Sequence, residues 1–323
     1  MFEQLGVIGC GLMGGSFALA VRRAGLVKRV VGYSKSPTTT QRALQLGVID
    51  AEAPSMLRAI SGSDLVLIAV PVAVTATVFQ SIQHLHVRDA LVMDVGSTKR
   101  DVADAARRIL GQNAAQFVPA HPIAGREVSG VDNADPDLYA GKRVVLTPLE
   151  NTLPSQVRRA AELWQSIGSR VSCMTPEAHD AALAAVSHFP HLAAFALMLS
   201  LIEQPEGKAF LDLAGPGFRD FTRIAAAEPH MWRDVLIANQ QQVRHQSRQF
   251  RKALVTLEHH MTQARAEDLL RLIDQASAAR AAWQPASETT RPAAPVVARP
   301  RRDDDDDAPR SRFSLSSFFG TGL

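Results

Sequence analysis

The stretch GVIGCGLMGGS, residues 6–16, constrains the fold of this chain more than any other. Gly9, Gly11 and Gly14 stand in the spacing G-x-G-x-x-G, directly after the apolar run LGVIG and at the head of a helical pattern from Leu12 to Ala24. Each glycine answers a separate demand. Gly9 permits the tight turn, Gly11 lets backbone amides approach a pyrophosphate, and Gly14 lets the helix pack on the strand, while the helix N-terminus attracts the anion. Leu12 and Met13 lie in the same turn and are counted with the cofactor-binding residues.

Downstream the chain keeps alternating. Apolar strand runs occur at 5–9, 29–33, 64–70, 90–96, 116–120 and 143–148, with a short last one at 169–173, and helical spacing fills stretches such as Thr38 to Leu46 and Lys99 to Leu110. Strand and helix in strict turn predict a parallel sheet with crossover helices. From Pro176 the pattern changes to long helices, expected over Pro176–Leu201, Trp232–Val255 and Arg265–Ala282. The reading is therefore an α/β dinucleotide-binding domain over 1–173, an all-α domain over 174–282, and a tail over 283–323. The tail is rich in Pro, Ala and Thr and then runs RPRRDDDDDAPR, a composition too polar to offset chain entropy, so disorder is expected.

The length of 323 residues with 46% hydrophobic content suits two cores. Two cysteines, Cys10 and Cys173, leave no disulfide framework and fit a reducing cytoplasm. The opening MFEQLGVIGCG reads as a first strand and not as a signal peptide. The most apolar stretch, Leu192 to Ile202, counts 11 residues, about half of what a bilayer requires, so no membrane span is expected. A net charge of +3, from 35 basic and 32 acidic residues, does not point to nucleic acid.

In an open parallel sheet, ligands bind beyond the carboxyl ends of the strands. Val70 and Pro71, Ser97 and His121 fall there, in AVPV, DVGSTK and AHPIAG. His121 by itself admits three roles: structural histidine, metal ligand, or base facing a cofactor. Ser97 is placed to bond the histidine or a substrate hydroxyl, or to cap the helix after it. The second strand ends in Ser34, Lys35 and Ser36 where an acid would bind the ribose of NAD, which favours NADP over NAD. In the helical half, His188 and His191 lie three apart around Pro190, with no third metal ligand in view, and Arg219, Arg223, Trp232 and Arg233 crowd one segment. An arginine there has the two-pronged geometry that a carboxylate needs.

Taken together, GxGLMGGS at 9–16, DVGSTK at 94–99, AHPIAG with Glu127, Ser129 and Gly130, SHFPH at 187–191, and GFRDFTRIA with Met231 and Trp232 resemble the prephenate dehydrogenases, including arogenate and cyclohexadienyl dehydrogenases. The resemblance covers about residues 5 to 260. It implies a Rossmann-type domain joined to a helical dimerisation domain, and NAD(P)-dependent oxidative decarboxylation of prephenate or arogenate in tyrosine biosynthesis by a homodimer. It also implies roles: His121 polarises the ring hydroxyl, Ser97 assists, Arg223 holds the ring carboxylate, Ser187 and His191 line the substrate pocket, and Glu127 stands near its entrance. Two rivals remain. A β-hydroxyacid dehydrogenase would carry a catalytic lysine after the domain boundary, where no lysine occurs between Lys142 and Lys208. A non-catalytic NADP-binding protein would have the charged tail as its only positive feature.

Overall fold

The structure, a computed structural model, describes residues 1–84, 89–126 and 128–283. Glu127, expected near the pocket entrance, and the tail from 284 onward, expected to be disordered, lie outside the described residues. Six parallel strands form the main sheet: β1 (Phe2–Ile8), β2 (Val27–Tyr33), β3 (Ala51–Glu52), β4 (Leu65–Ile68), β5 (Leu91–Asp94) and β6 (Phe117–Val118), in the order β3-β2-β1-β4-β5-β6. Connecting helices are α1 (Leu12–Arg23), α2 (Pro37–Gln45), α3 (Met56–Ile60), α4 (Thr75–Ile82) and α5 (Arg100–Ile109). The order reverses between β1 and β4, so their carboxyl ends open a crevice where ligands bind in such sheets.

One part of the expected sheet is different. The apolar run 116–120 divides at Pro119, whose ring nitrogen cannot donate to a ladder. Phe117–Val118 stays in the parallel sheet as β6. Ala120–Pro122 becomes β7 of a second sheet, running antiparallel to β8 (Arg143–Leu146), which in turn pairs in parallel with β9 (Arg170–Cys173). The run at 143–148 therefore does not extend the parallel sheet. α6 (Pro154–Ser166) joins β8 to β9. Tyr139, Phe17 and Trp164 interlock where the second sheet meets α1, with ring centroids 4.9–6.5 Å apart, and the Tyr139 hydroxyl donates to the Met13 carbonyl at 2.7 Å.

The helical half contains α7 (Pro176–Leu183), a π-helical turn over Ala184–His188, α8 (Phe189–Ile202), α9 (Gly207–Asp212), α10 (Pro216–Thr222), α11 (Pro229–Ala238), α12 (Gln240–Thr262) and α13 (Ala266–Ala282). The π turn falls just before Pro190, which lacks the N–H an α-helix would use there. The helix expected over Trp232–Val255 is two helices, broken at the buried Asn239. Pro176–Ile202 forms a continuous helical stretch of 27 residues, long and apolar enough to cross a membrane by length and composition. The helix has essentially the Pro176–Leu201 extent expected from the sequence, the π turn carrying it through His188, and it is longer than the 11-residue apolar run within it. His179, Asp180 and His188 within it bond to groups of this same chain.

Candidate active site

The glycine turn has the shape its spacing predicts. Gly9 adopts φ 99°, in the left-handed region, and a side chain there would collide with the Ala69 carbonyl at the end of β4. A side chain at Gly14 would strike the Gly9 carbonyl, whereas the space over Gly11 is open. No side chain caps the N-terminus of α1 and its first turn has no acid, so its free N–H groups suit a pyrophosphate. Val70 lies against Gly9, and the exposed Pro71 starts the next turn. Ser34 is half-buried, and its hydroxyl accepts a hydrogen bond from the Cys10 N–H at 2.9 Å. Burial pushes the Cys10 thiol up to about 11, which keeps it neutral. Lys35 and Ser36 are exposed at the head of α2.

His121 sits in β7, 8% exposed, beyond the carboxyl ends of β4 and β5. The strand is held by an ion pair wholly inside the protein: Lys99 Nζ donates to Asp94 Oδ2 at 2.5 Å and to the Ala120 carbonyl at 2.8 Å, and Ala120 N–H donates to Asp94 Oδ1 at 3.0 Å. Both backbone groups of the residue before His121 are thereby fixed by the DVGSTK segment. His121 Nδ1 lies 2.8 Å from His179 Nε2, and His179 Nδ1 donates to Asp180 Oδ1 at 2.8 Å. Burial, with His179 and then the Lys99 ammonium nearby, pushes His121 well below the ordinary imidazole range. For Asp180 burial acts to raise the pKa, but bonds from His179 and from the N–H groups of Lys99 and Arg100 outweigh it and hold the carboxyl below its usual range.

The opposite wall comes from the helical half, where α11 packs on the turn after Pro71. His191 stacks on Trp232, centroids 3.5 Å apart, and its Nδ1–H donates to the Ser187 carbonyl at 2.9 Å. Burial lowers the His191 pKa, opposed by the Ser187 carbonyl and assisted by the Arg223 guanidinium. Arg223 itself is exposed in the single chain and not enclosed in a dry cleft. His188 is directed elsewhere: its Nδ1 accepts from Asn239 Nδ2 at 3.0 Å and Trp232 meets it edge-on, so it does not join His191. Among the described residues no group of three or more His, Cys, Asp or Glu is placed to hold a metal ion.

Ser97 does not cap α5. The cap residue is Lys99 and no neighbouring side chain bonds the first turn; instead the Asp180 carboxylate, 80 residues downstream, accepts the N–H groups of Lys99 at 2.9 Å and Arg100 at 3.0 Å. Half-buried Ser97 stands after β5, on the same side of the sheet as the glycine turn. Sequence reasoning passed over Asp94, Lys99, His179, Asp180 and Asn239. The one available signal for His179 and Asp180 was an adjacent polar pair inside an otherwise apolar helix, PEAHDAAL.

Comparison with known proteins finds one family along both halves of the chain. Residues 17–173 match the family described as "Prephenate dehydrogenase, nucleotide-binding domain", and residues 175–275 match "Prephenate dehydrogenase, dimerization domain". The chain is 34% identical over 277 residues to the prephenate dehydrogenase of Bacillus subtilis (strain 168), covering 84% of this chain and 73% of that one. It is 33% identical over 241 residues to the cyclohexadienyl dehydrogenase of Zymomonas mobilis, covering 74% and 82%. A crystal structure of prephenate dehydrogenase from A. aeolicus in complex with hydroxyphenyl propionate and NAD+ superposes with a TM-score of 0.82 at 35% identity, over 87% of this chain and 98% of that one. With a glycine turn open to a pyrophosphate, a buried histidine at the sheet edge and matches through both halves, this chain belongs to the prephenate dehydrogenase family.

Proposed function

We infer that the protein catalyses the oxidative decarboxylation of prephenate to 4-hydroxyphenylpyruvate, in tyrosine biosynthesis, using a nicotinamide dinucleotide. The observation that carries the reading is His121, buried beside the carboxyl edge of the sheet that the glycine turn prepares for the cofactor. Gly9, Gly11, Leu12, Met13 and Gly14 would hold the pyrophosphate, with Val70 and Pro71 beside the nicotinamide. When bound there, the oxidised cofactor supplies the acceptor for the hydride that leaves the hydroxyl-bearing ring carbon. His121 takes the hydroxyl proton, the bond from ring to carboxylate breaks, and its electron pair enters the ring as CO2 departs. Aromatisation supplies much of the driving force, so the protein's tasks are to orient, to accept one proton and to hold charge. Arg223 binds the ring carboxylate, Ser97 the ring hydroxyl, and Ser187 and His191 line the pocket around the substrate.

Ser34, Lys35 and Ser36 support NADP over NAD, since no carboxylate ends β2 to repel a 2′-phosphate. A specific observation favours NAD as the second reading: Glu52 of β3 pairs with Gly32 of β2, one residue before the end of that strand. The helical half, from 174 to 282, forms the contact of a homodimer, and the enzyme works in the cytoplasm, where Cys10 and Cys173 stay free. The test is an assay of reduced cofactor and CO2 with prephenate or arogenate and each dinucleotide. Prephenate should be turned over, and His121→Asn should lower kcat by about 10²–10⁴ with substrate binding largely kept. No turnover of either acid, or a His121→Asn enzyme as fast as the parent, would overturn the assignment.

A further inference from the structure

His179 and Asp180 take no direct part in the hydride transfer or the loss of CO2, yet they are 0% and 2% exposed and joined to His121. Three N–H donors converge on the Asp180 carboxylate: Lys99 N at 2.9 Å, Arg100 N at 3.0 Å and His179 Nδ1 at 2.8 Å. A carboxylate only accepts, so the hydrogen in the last bond belongs to His179 Nδ1. Neutral His179 then has its lone pair on Nε2. That lone pair faces His121 Nδ1 at 2.8 Å, and the bond between them needs a hydrogen, which must come from His121.

We propose that His179 and Asp180 are positioning residues that fix His121 as the Nδ1–H tautomer, leaving the Nε2 lone pair to meet the substrate hydroxyl. The proposal rests on reading His121 as the proton acceptor. It also answers a difficulty in that reading, because the burial that shields His121 disfavours its protonated form. Once His121 has taken a proton on Nε2, its Nδ1–H points through His179 to the charge on Asp180, as in other acid–base chains where a second group orients the base. A second proton on His179 would reverse the bond, put the hydrogen on His121 Nε2 and remove the base.

The chain of bonds crosses between the two halves of the molecule. His121 belongs to β7, whereas His179 and Asp180 lie in α7, and the Asp180 carbonyl accepts from Asn239 Nδ2 at 2.8 Å at the α11–α12 break. The helical half thereby decides which nitrogen of a sheet histidine is basic. The charged or titratable groups around His121 are His179, Asp180, His188, Lys99 and Asp94.

Nitrogen-15 NMR of the imidazole rings reads the tautomer in the unmodified protein, with His121→Asn assigning the signals. His121 should show Nδ1 protonated and Nε2 bare at neutral pH. Asp180→Asn offers an amide donor to His179 and should invert both rings, lowering kcat by about 10²–10⁴ while KM for prephenate moves less than threefold. His179→Gln keeps the carboxylate on α5 and should lower kcat by about tenfold or more, with the acid limb of kcat/KM shifted to lower pH. An Nε2–H tautomer in the unmodified protein overturns the proposal. So does a kcat within threefold of the parent, with an unmoved acid limb, in His179→Gln. If neither prephenate nor arogenate is turned over, the function fails by that result alone, while the NMR still decides the tautomer.

Discussion

Between β1 and β9 the side chains of Leu5, Phe17, Leu67, Phe117 and Trp164 are completely buried, and the sheet is covered on both faces. Along the helices after Pro176 the same kinds of residue face outward: Leu213 is 85% exposed, Val186 75% and Met261 64%, and α10 and α13 bury nothing. The first region has finished its core within one chain. The second has apolar surface to spare, well beyond the scattered exposed leucines of an ordinary surface, which is what an interface between copies requires. Of the polar groups that α7 and the π turn bury, His179 and Asp180 are turned toward the first region, bonding His121 and the head of α5, whereas His188 bonds Asn239 within the helical half.

That contrast can be broken first in the sheet region. Trp164→Ala, which opens a hole between Phe17 and Tyr139, should cost about 3–5 kcal/mol in urea unfolding; a loss below about 1 would mean the aromatic trio is not a core. Next is His188, buried against Asn239 and Trp232 and lowered by burial to about 4 from the ordinary 6.5. Because the folded value lies below the unfolded one, the unfolded chain binds the proton first. Stability is therefore complete above pH 6.5 and is lost as pH falls toward 4, by on the order of 3 kcal/mol. His188→Asn should flatten that part of the unfolding curve against pH, while buried His121 leaves a remainder of the same sign. An unchanged slope would show that His188 is protonated in the fold.

In the helical half, Leu254→Asp with Met261→Asp places two charges seven residues apart on one face of α12. Sedimentation should show dimer association at least about 100-fold weaker, with nucleotide binding and fold retained; an intact dimer would move the interface to another face. Arg223→Ala should raise KM for prephenate by about 30-fold and leave the cofactor constant alone, since a two-pronged guanidinium–carboxylate pair is stronger than a single charge contact. Less than threefold would transfer the role to Arg219 or Arg233. The smallest effect expected is for Ser34→Asp, about tenfold in the ratio of specificity constants from NADP toward NAD. An unmoved ratio would mean that Ser34, bonded to Cys10, does not face the ribose phosphate.

The candidate site is partly legible in the sequence. His121 stood out because it ends an apolar strand run and precedes Pro122, and Arg223 and His191 because their motifs matched a known series. Asp94 and Lys99 were in plain view in DVGSTK, but nothing local reveals that they pair with each other and with the backbone around Ala120. Ser97 looked like a cap because a serine just before a helix so often is one, and the position was filled from far away by Asp180.

By itself the sequence determined the features that depend on a few neighbouring residues. Glycine spacing set the turn after β1, the two-residue and 3.6-residue periods set strands and helices, and their alternation set a parallel sheet and then a helical region. Only the tertiary structure decided what depends on residues far apart. Pro119 can end a strand, yet the partner of Ala120–Pro122 is β8, and the antiparallel pairing results from where the chain returns. The bond from His121 to His179 joins residues 58 positions apart, and its direction is fixed by a carboxylate that also caps α5. Periodicity reports which face of an element is buried and not which element buries it, so a proton's place on an imidazole is settled only when the whole chain has folded around it.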